Sequence, residues 1–245
     1  MNLDLAGKHA LVTGGSRGIG RAIVLALAEH GASVAAVYQR EGDAVTTLAD
    51  ELGRYDGDNF VLQADVSDDE AVSRLASEVR DRYGKVDVLV NNAGVVSHRM
   101  IEDLDLEEWR RVVDTNLTAL YLVTKGVVDV IPQGGSVIIV GSAVATRGMP
   151  GRTHYASSKA GAIGFMRALS KEIGPRGIRV NLIAPGIIET DQAADLTDEA
   201  RERYSRLAAL NRLGGASEIA GAALFLASDL SSFVSGVTLN VDGGI

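Results

Sequence analysis

The sequence predicts a doubly wound α/β fold with a parallel sheet, on three observations. Short β-branched runs alternate with longer amphipathic runs along the chain. Several of the short runs are apolar almost throughout, as strands covered on both faces must be. A glycine-rich stretch, "TGGSRGIG" at 13–20, joins the first short run to the first long one. Strand–helix alternation of this kind gives parallel strands joined by right-handed crossovers.

Strands are expected at 8–13 (KHALVT), 33–38 (SVAAVY), 60–64 (FVLQA), 86–90 (VDVLV), 136–141 (SVIIVG), 178–184 (IRVNLIA) and 237–242 (VTLNVD). Helical patterns lie near 19–31, 42–53, 68–83, 106–131, 154–173 and 217–228. Two stretches break this rhythm: 92–104 after the fourth strand and 185–212 after the sixth. Both begin at carboxyl ends of strands, where open α/β sheets hold their ligands. The second is long for a connection inside a compact domain and is expected to form a lid.

The chain has 245 residues, 46% hydrophobic and 23% charged, which suits one α/β domain with a sizeable core. It has no cysteine, so disulfides, thiolate nucleophiles and Cys-based metal sites are excluded, and no metal is expected. A net charge of −8 argues against nucleic acid or an anionic membrane as partner. No apolar run reaches the roughly 18 residues of a membrane span. The start, "MNLDLAGKHALVTGG", lacks the basic and apolar regions of a signal peptide. A cytoplasmic location is expected.

In "TGGSRGIG", Gly14, Gly18 and Gly20 allow positive φ and close backbone approach. The helix that follows offers free N–H groups and a positive dipole end to a pyrophosphate, with Ser16, Arg17 and Ile19 beside them. A dinucleotide site is therefore expected. The second strand selects the dinucleotide. NAD-binding sites place an acid near its end, to accept from the ribose 2′-OH. Here Tyr38, Gln39 and Arg40 occupy that place, and the first acid, Glu41, follows them. Arg17 and Arg40 can both attract a 2′-phosphate. The expected cofactor is NADP(H). Asp65 and Val66 end the third strand, where Asp65 can accept from the adenine amino group. Asn91, Asn92, Ala93 and Gly94 end the fourth; the small pair leaves room for ribose, and the asparagines can tie strand ends together.

"HYASSKA" (154–160) carries the candidate chemistry. On a helix, Tyr155 and Lys159 share a face one turn apart. The lysine charge is expected to lower the tyrosine pKa, making the phenol usable as an acid or base near neutral pH. Ser142, at the end of the fifth strand, can hold a substrate carbonyl oxygen while Tyr155 protonates it. Asn116, mid-helix in "DTNLTA", is unusual in an apolar helix and can hold a water beside Lys159.

These motifs, with "PGIIET" at 185–190, occur in the order and approximate spacing of the short-chain dehydrogenase/reductase family, which the chain resembles over nearly its whole length. The resemblance implies a Rossmann fold with a seven-stranded sheet in the order 3-2-1-4-5-6-7 and helices on both faces. It implies a catalytic tetrad of Asn116, Ser142, Tyr155 and Lys159, with Lys159 also holding the nicotinamide ribose. Pro185, Gly186, Ile188 and Thr190 would line the nicotinamide and its phosphates, and 186–212 would be the substrate lid on a single reductase domain. Pairing of helices 154–173 and 106–131 across a two-fold axis would give a homotetramer or homodimer.

Within the family the chain is similar to 3-oxoacyl-carrier-protein reductases and polyketide ketoreductases. The segment 127–137, "VVDVIPQGGSV", has no basic residue to dock an acidic carrier protein. The expectation is therefore an NADPH-dependent ketoreductase acting on a free, polycyclic aromatic polyketide-type ketone, with 3-oxoacyl-carrier-protein reduction as the alternative. A reading of another class is a non-catalytic NADPH-binding sensor. His154, Arg147 and Arg152 are candidate substrate contacts, weighed against a simple role as exposed loop residues.

Overall fold

The computed structural model describes residue 3, residues 5–189 and residues 197–245. Its main sheet has seven strands: β1 (His9–Thr13), β2 (Ser33–Tyr38), β3 (Phe60–Gln63), β4 (Val88–Asn91), β5 (Ser136–Val140), β6 (Arg179–Pro185) and β9 (Thr238–Val241). They run parallel in the order β3-β2-β1-β4-β5-β6-β9, which is the expected order with the last strand renumbered. Two residues of β7 (Ile188–Glu189) pair with two of β8 (Gly214–Gly215) at the base of the expected lid, a ladder too short to be read as an alternating pattern.

The helices are α1 (Gly18–Glu29), α2 (Asp43–Leu52), α3 (Asp69–Tyr83), α4 (Leu106–Val113), α5 (Ala119–Val127), α6 (Val144–Arg147), α7 (Thr153–Ile173), α8 (Asp198–Ser205) and α9 (Ala216–Ala227). Local chemistry fixes their ends. The Asp68 carboxylate accepts from Ala71 N to start α3, and Gly84, in a left-handed conformation, stops it. Asp105 caps α4 the same way, accepting from Glu108 N.

The strands explain the core. Leu11 of β1 faces one hydrophobic cluster, with Leu75 of α3, Val123 of α5 and Met166 of α7. Its neighbours Ala10 and Val12 face the other, with Leu27 of α1, Leu48 of α2 and Ile219 of α9. At the start of β6 the buried Arg179 donates to Leu226 O (2.8 Å), Ser228 O (3.3 Å) and Ser231 Oγ (2.6 Å). The guanidinium there joins Ser136 Oγ and Ser231 Oγ in satisfying Leu226 O, a carbonyl of the last turn of α9.

One expected helix is broken. The run 106–131 divides into α4, a π-helical turn at Asp114–Thr118, and α5, and closes with a 3-10 turn at Val128–Val130. The polar and β-branched "DTNLT" favours an α-helix weakly, and the wider turn swings Asn116 fully into the interior. Among the described residues no helix is long and apolar enough to cross a membrane.

Candidate active site

A cavity of about 770 Å³ opens along the carboxyl ends of the strands. Its first wall is the turn from β1 into α1, where Gly14, Ser16, Arg17, Gly18, Ile19 and Gly20 all line it. Gly14 and Gly18 have φ of 64° and 54°. A Cβ on Gly14 would stand 2.9 Å from Ala93 Cα, and one on Gly20 only 2.0 Å from Gly14 O. The loop can therefore be built only from glycine at these places. Asn92 Nδ2 ties it down by donating to Thr13 O (2.9 Å) and Gly14 O (3.0 Å). Helix α1 starts without a side-chain cap, so its first N–H groups are left for a ligand.

The far end of the cavity is lined by Tyr38, Gln39, Arg40, Asp65 and Val66. Gln39 Nε2 donates to Asp65 Oδ2 (2.8 Å), while Asp65 Oδ1 accepts from Ser67 N (2.9 Å) and Ser67 Oγ (2.6 Å). Burial pushes the Asp65 carboxyl up, but these hydrogen bonds outweigh it and hold the group below its usual range. Glu41, placed outside the site by the sequence reading, lines the cavity and accepts from Tyr38 Oη (2.7 Å). Its position three residues after Tyr38 was the signal available. Arg17 and Arg40 are exposed, and among the described residues neither forms an ion pair.

At the other end stand Ser142, from the end of β5, and Tyr155 and Lys159, from α7. Ser142 Oγ accepts from Val144 N (3.2 Å) and faces the Tyr155 hydroxyl closely enough to influence its proton. Lys159 is buried, and its Nζ donates to Val140 O (2.9 Å). Two electrostatic results follow. Burial lowers the lysine to about 8. Burial also raises the tyrosine above its ordinary value, with Ser142 and the Arg152 charge pulling the other way. The expected lowering of the tyrosine by its lysine is thus corrected: Nζ lies 5.8 Å from the ring centroid, and desolvation of the hydroxyl dominates.

Asn116 stands behind this group rather than in the cavity wall. Its Oδ1 accepts from Val95 N (2.7 Å), and its Nδ2 donates to Val95 O (2.9 Å) and Ser158 Oγ (3.2 Å). It meets Lys159 at Gly94: a Cβ there would be 3.1 Å from Asn116 Oδ1 and 3.5 Å from Lys159 Nζ. Ala93, Gly94, Pro185, Gly186 and Ile188 line the cavity as expected. Asn91 does not; it is buried under the floor and donates to Thr124 Oγ1 (3.2 Å), because inward alternation along β4 points it at α5. Thr190 and part of the expected lid lie outside the described residues.

Of the candidate substrate contacts, His154 is fully buried and turned towards Ser97, because it sits on the inner face of α7. Arg152 donates to Ser97 O (2.7 Å). Arg147 is exposed and does not line the cavity. Arg111 and Thr115 do line it, and the sequence reading missed both.

A glycine cradle with no room for a Cβ, an uncapped helix start and two unpaired guanidiniums fit a dinucleotide carrying a 2′-phosphate. Fold and site together define a nicotinamide-dependent oxidoreductase. A family model described as "Enoyl-(Acyl carrier protein) reductase" matches residues 14–245. Proteins named 3-oxoacyl-[acyl-carrier-protein] reductase FabG are similar to the chain: that of Chlamydia muridarum is 43% identical, with all of both chains covered, and that of Escherichia coli K12 is 41% identical, with 99% of both covered. Among solved structures, a dehydrogenase/reductase from Sinorhizobium meliloti 1021 superposes with a TM-score of 0.95 at 34% identity, covering 99% of this chain and 96% of that one. A short-chain dehydrogenase from Burkholderia cenocepacia J2315 in complex with NADP gives 0.93 at 34% identity, with 98% of both covered. The chain belongs to the short-chain dehydrogenase/reductase family, and its cofactor is NADP(H).

Proposed function

We propose that this protein is an NADPH-dependent ketoreductase that reduces a 3-oxoacyl thioester to the 3-hydroxyacyl product. The observation that carries the reading is the convergence of Ser142, Tyr155 and Lys159 on one end of a cavity whose other end suits a phosphorylated dinucleotide. Bound there, NADPH supplies the hydride. Ser142 and Tyr155 hydrogen-bond the carbonyl oxygen, and Tyr155 Oη delivers the proton to it. The elevated pKa keeps the tyrosine protonated and ready to donate. Lys159, its Nζ held by Val140 O at the same end of the cavity, orients the cofactor ribose. Asn116 holds the Val95 backbone so that Gly94 stays open beside the lysine. A pure cofactor sensor would need none of these reaction-end groups.

The names of the relatives support the 3-oxoacyl substrate over the polyketide-type ketone expected from the sequence. One observation favours that ketone as a second reading. The 127–137 segment has no basic residue of its own: beside it Arg80 is paired with Asp129 (2.8 Å), and Arg176 alone, its guanidinium turned to Val128 O and Ile131 O, is left to meet a carrier protein. The test compares acetoacetyl-carrier protein, a small 3-oxoacyl thioester and an aromatic polyketide ketone at one NADPH concentration. A higher kcat/KM for the carrier-bound substrate, weakened by salt, supports the first reading. A higher value for the ketone, insensitive to salt, replaces it with the second.

The same reading includes a homotetramer, or at least a homodimer, built on α5 and α7. The exposed Ala160, Gly164 and Ala168 of α7 allow a close approach, with open space beyond Gly164, and Tyr121 of α5 is exposed as well. Sedimentation that finds only monomer at micromolar protein would refute this.

A further inference from the structure

His154 immediately precedes Tyr155 and has no exposed surface. A buried imidazole is costly unless its nitrogens are paired. Nε2 lies 2.8 Å from Ser97 Oγ. That hydroxyl donates its single proton to Glu108 Oε1. Nε2 therefore carries the hydrogen and donates to Ser97, which makes Nδ1 the unprotonated nitrogen. Nδ1 is buried without a partner, so a second proton has nowhere to bind favourably. Burial lowers the His154 pKa and keeps the ring neutral. Glu108 is fixed in turn by Arg111, whose Nε and Nη2 donate to it at 2.6 and 2.8 Å.

Further bonds converge on the same place. Arg99 N donates to Gly151 O (2.9 Å), and Arg152 Nη1 donates to Ser97 O (2.7 Å). Gly151 has φ of 70°, and a Cβ on it would stand 2.5 Å from His98 Nε2. The segment 95–99 is thus laced to the start of α7 at one end and held through Val95 by Asn116 at the other. Val95 and Val96 of that segment line the cavity, as Tyr155 does.

The geometry points to His154, Ser97 and Glu108 as a chain of positioning residues that sets the 95–99 wall of the substrate cleft against the catalytic helix. The inference rests on the ketoreductase reading, since it takes the cleft beside Tyr155 as the place of the ketone. None of the three residues touches the reacting atoms. Their effect reaches the substrate through the wall, so it falls on substrate KM and leaves NADPH affinity alone.

Packing alone and hydrogen-bond positioning make opposite demands at residue 154. Packing prefers His154→Leu, which keeps volume; positioning prefers His154→Gln, whose amide keeps a donor at the reach of Nε2. The expected result is a rise in ketone KM of roughly five- to tenfold for His154→Leu, the scale of one lost hydrogen bond, with His154→Gln returning towards wild type. Ser97→Ala should match His154→Leu, and the double variant should be little worse than either, because the bonds act as one chain. Hydrogen–deuterium exchange of 95–99 in the NADPH-bound protein, with no ketone present, should be faster in His154→Leu and Ser97→Ala than in wild type. This second measurement decides the positioning even if the proposed substrate is wrong, and fluorescence titration with NADPH confirms that each variant is folded. Unchanged exchange in both variants, a Leu variant better than the Gln variant, or additive effects in the double variant would each overturn the proposal.

Discussion

Replacing Lys159 by Met should abolish activity and yet make the cofactor-free protein more stable. Burial holds the ammonium at about 8 against an ordinary value of 10.5. That difference is worth roughly 3 kcal/mol against the charged form at neutral pH. The bond from Nζ to Val140 O offsets part of this cost, since a charged donor contributes about 1.5–3 kcal/mol. Met keeps most of the stem volume and removes the charge, so the net gain should be up to about 1.5 kcal/mol. The pH dependence tests the cause. The folded pKa lies below the unfolded one, so between 8 and 10.5 the unfolded chain binds more protons and wild-type stability rises with pH. Below that window the cost is fully present; above it both states are neutral and the cost is gone. Urea denaturation at fixed protein concentration should therefore show the largest gap near pH 7. By pH 9.5 the burial cost should have fallen to roughly half. A variant less stable than wild type by more than about 1 kcal/mol at pH 7 would show that the hydrogen bond, not burial, dominates. A gap that stays constant across the window would refute the titration argument.

Tyr155→Phe should leave the fold and NADPH affinity intact and lower kcat by at least about 10²-fold in steady-state assays, because it deletes the proton donor; near-normal turnover would remove the hydroxyl from the mechanism. Arg17→Ala and Arg40→Ala should each raise KM for NADPH, by about 1.5–3 kcal/mol of lost charge-assisted bonding, and leave KM for NADH nearly unchanged. Equal losses with the two cofactors would exclude a 2′-phosphate contact. Gly20→Ala should abolish NADPH binding in a fluorescence titration, since its Cβ would sit 2.0 Å from Gly14 O and force the loop apart; retained affinity would mean that the loop can shift.

The sheet was legible because its signal is repeated: each strand of β-branched residues is followed by an amphipathic helix, and the order of such a sheet has few alternatives. The glycine loop was legible because backbone proximity leaves only one residue type possible at Gly14 and Gly20. What stayed hidden depends on contacts between distant segments. His154 looks like a loop residue until α7 places it on the inner face against Ser97, far away in sequence. Asn91 and Asn92 are adjacent and alike, yet one ends under the floor and the other on the glycine loop, because a strand alternates its faces. The balance between burial and charge at Tyr155 was also invisible, since a sequence shows the lysine four residues away but not the desolvation of the phenol.

The π-helical turn at Asp114–Thr118 has a genetic consequence. A π turn is an α-helix carrying one residue too many. Deleting a single codon inside it, such as that of Thr115, would let α4 and α5 merge into one regular helix. Regular hydrogen bonding favours that product, and the flanking turns keep their faces, because the bulge had absorbed the extra residue locally; what is lost is the wider turn that carries Asn116 inward. Asn116 could not then face Val95 and Ser158 while Val112, Leu120 and Val123 all keep their core positions. An in-frame deletion would thus be tolerated by the helix and rejected by the site, so this extra residue serves the site and not the helix.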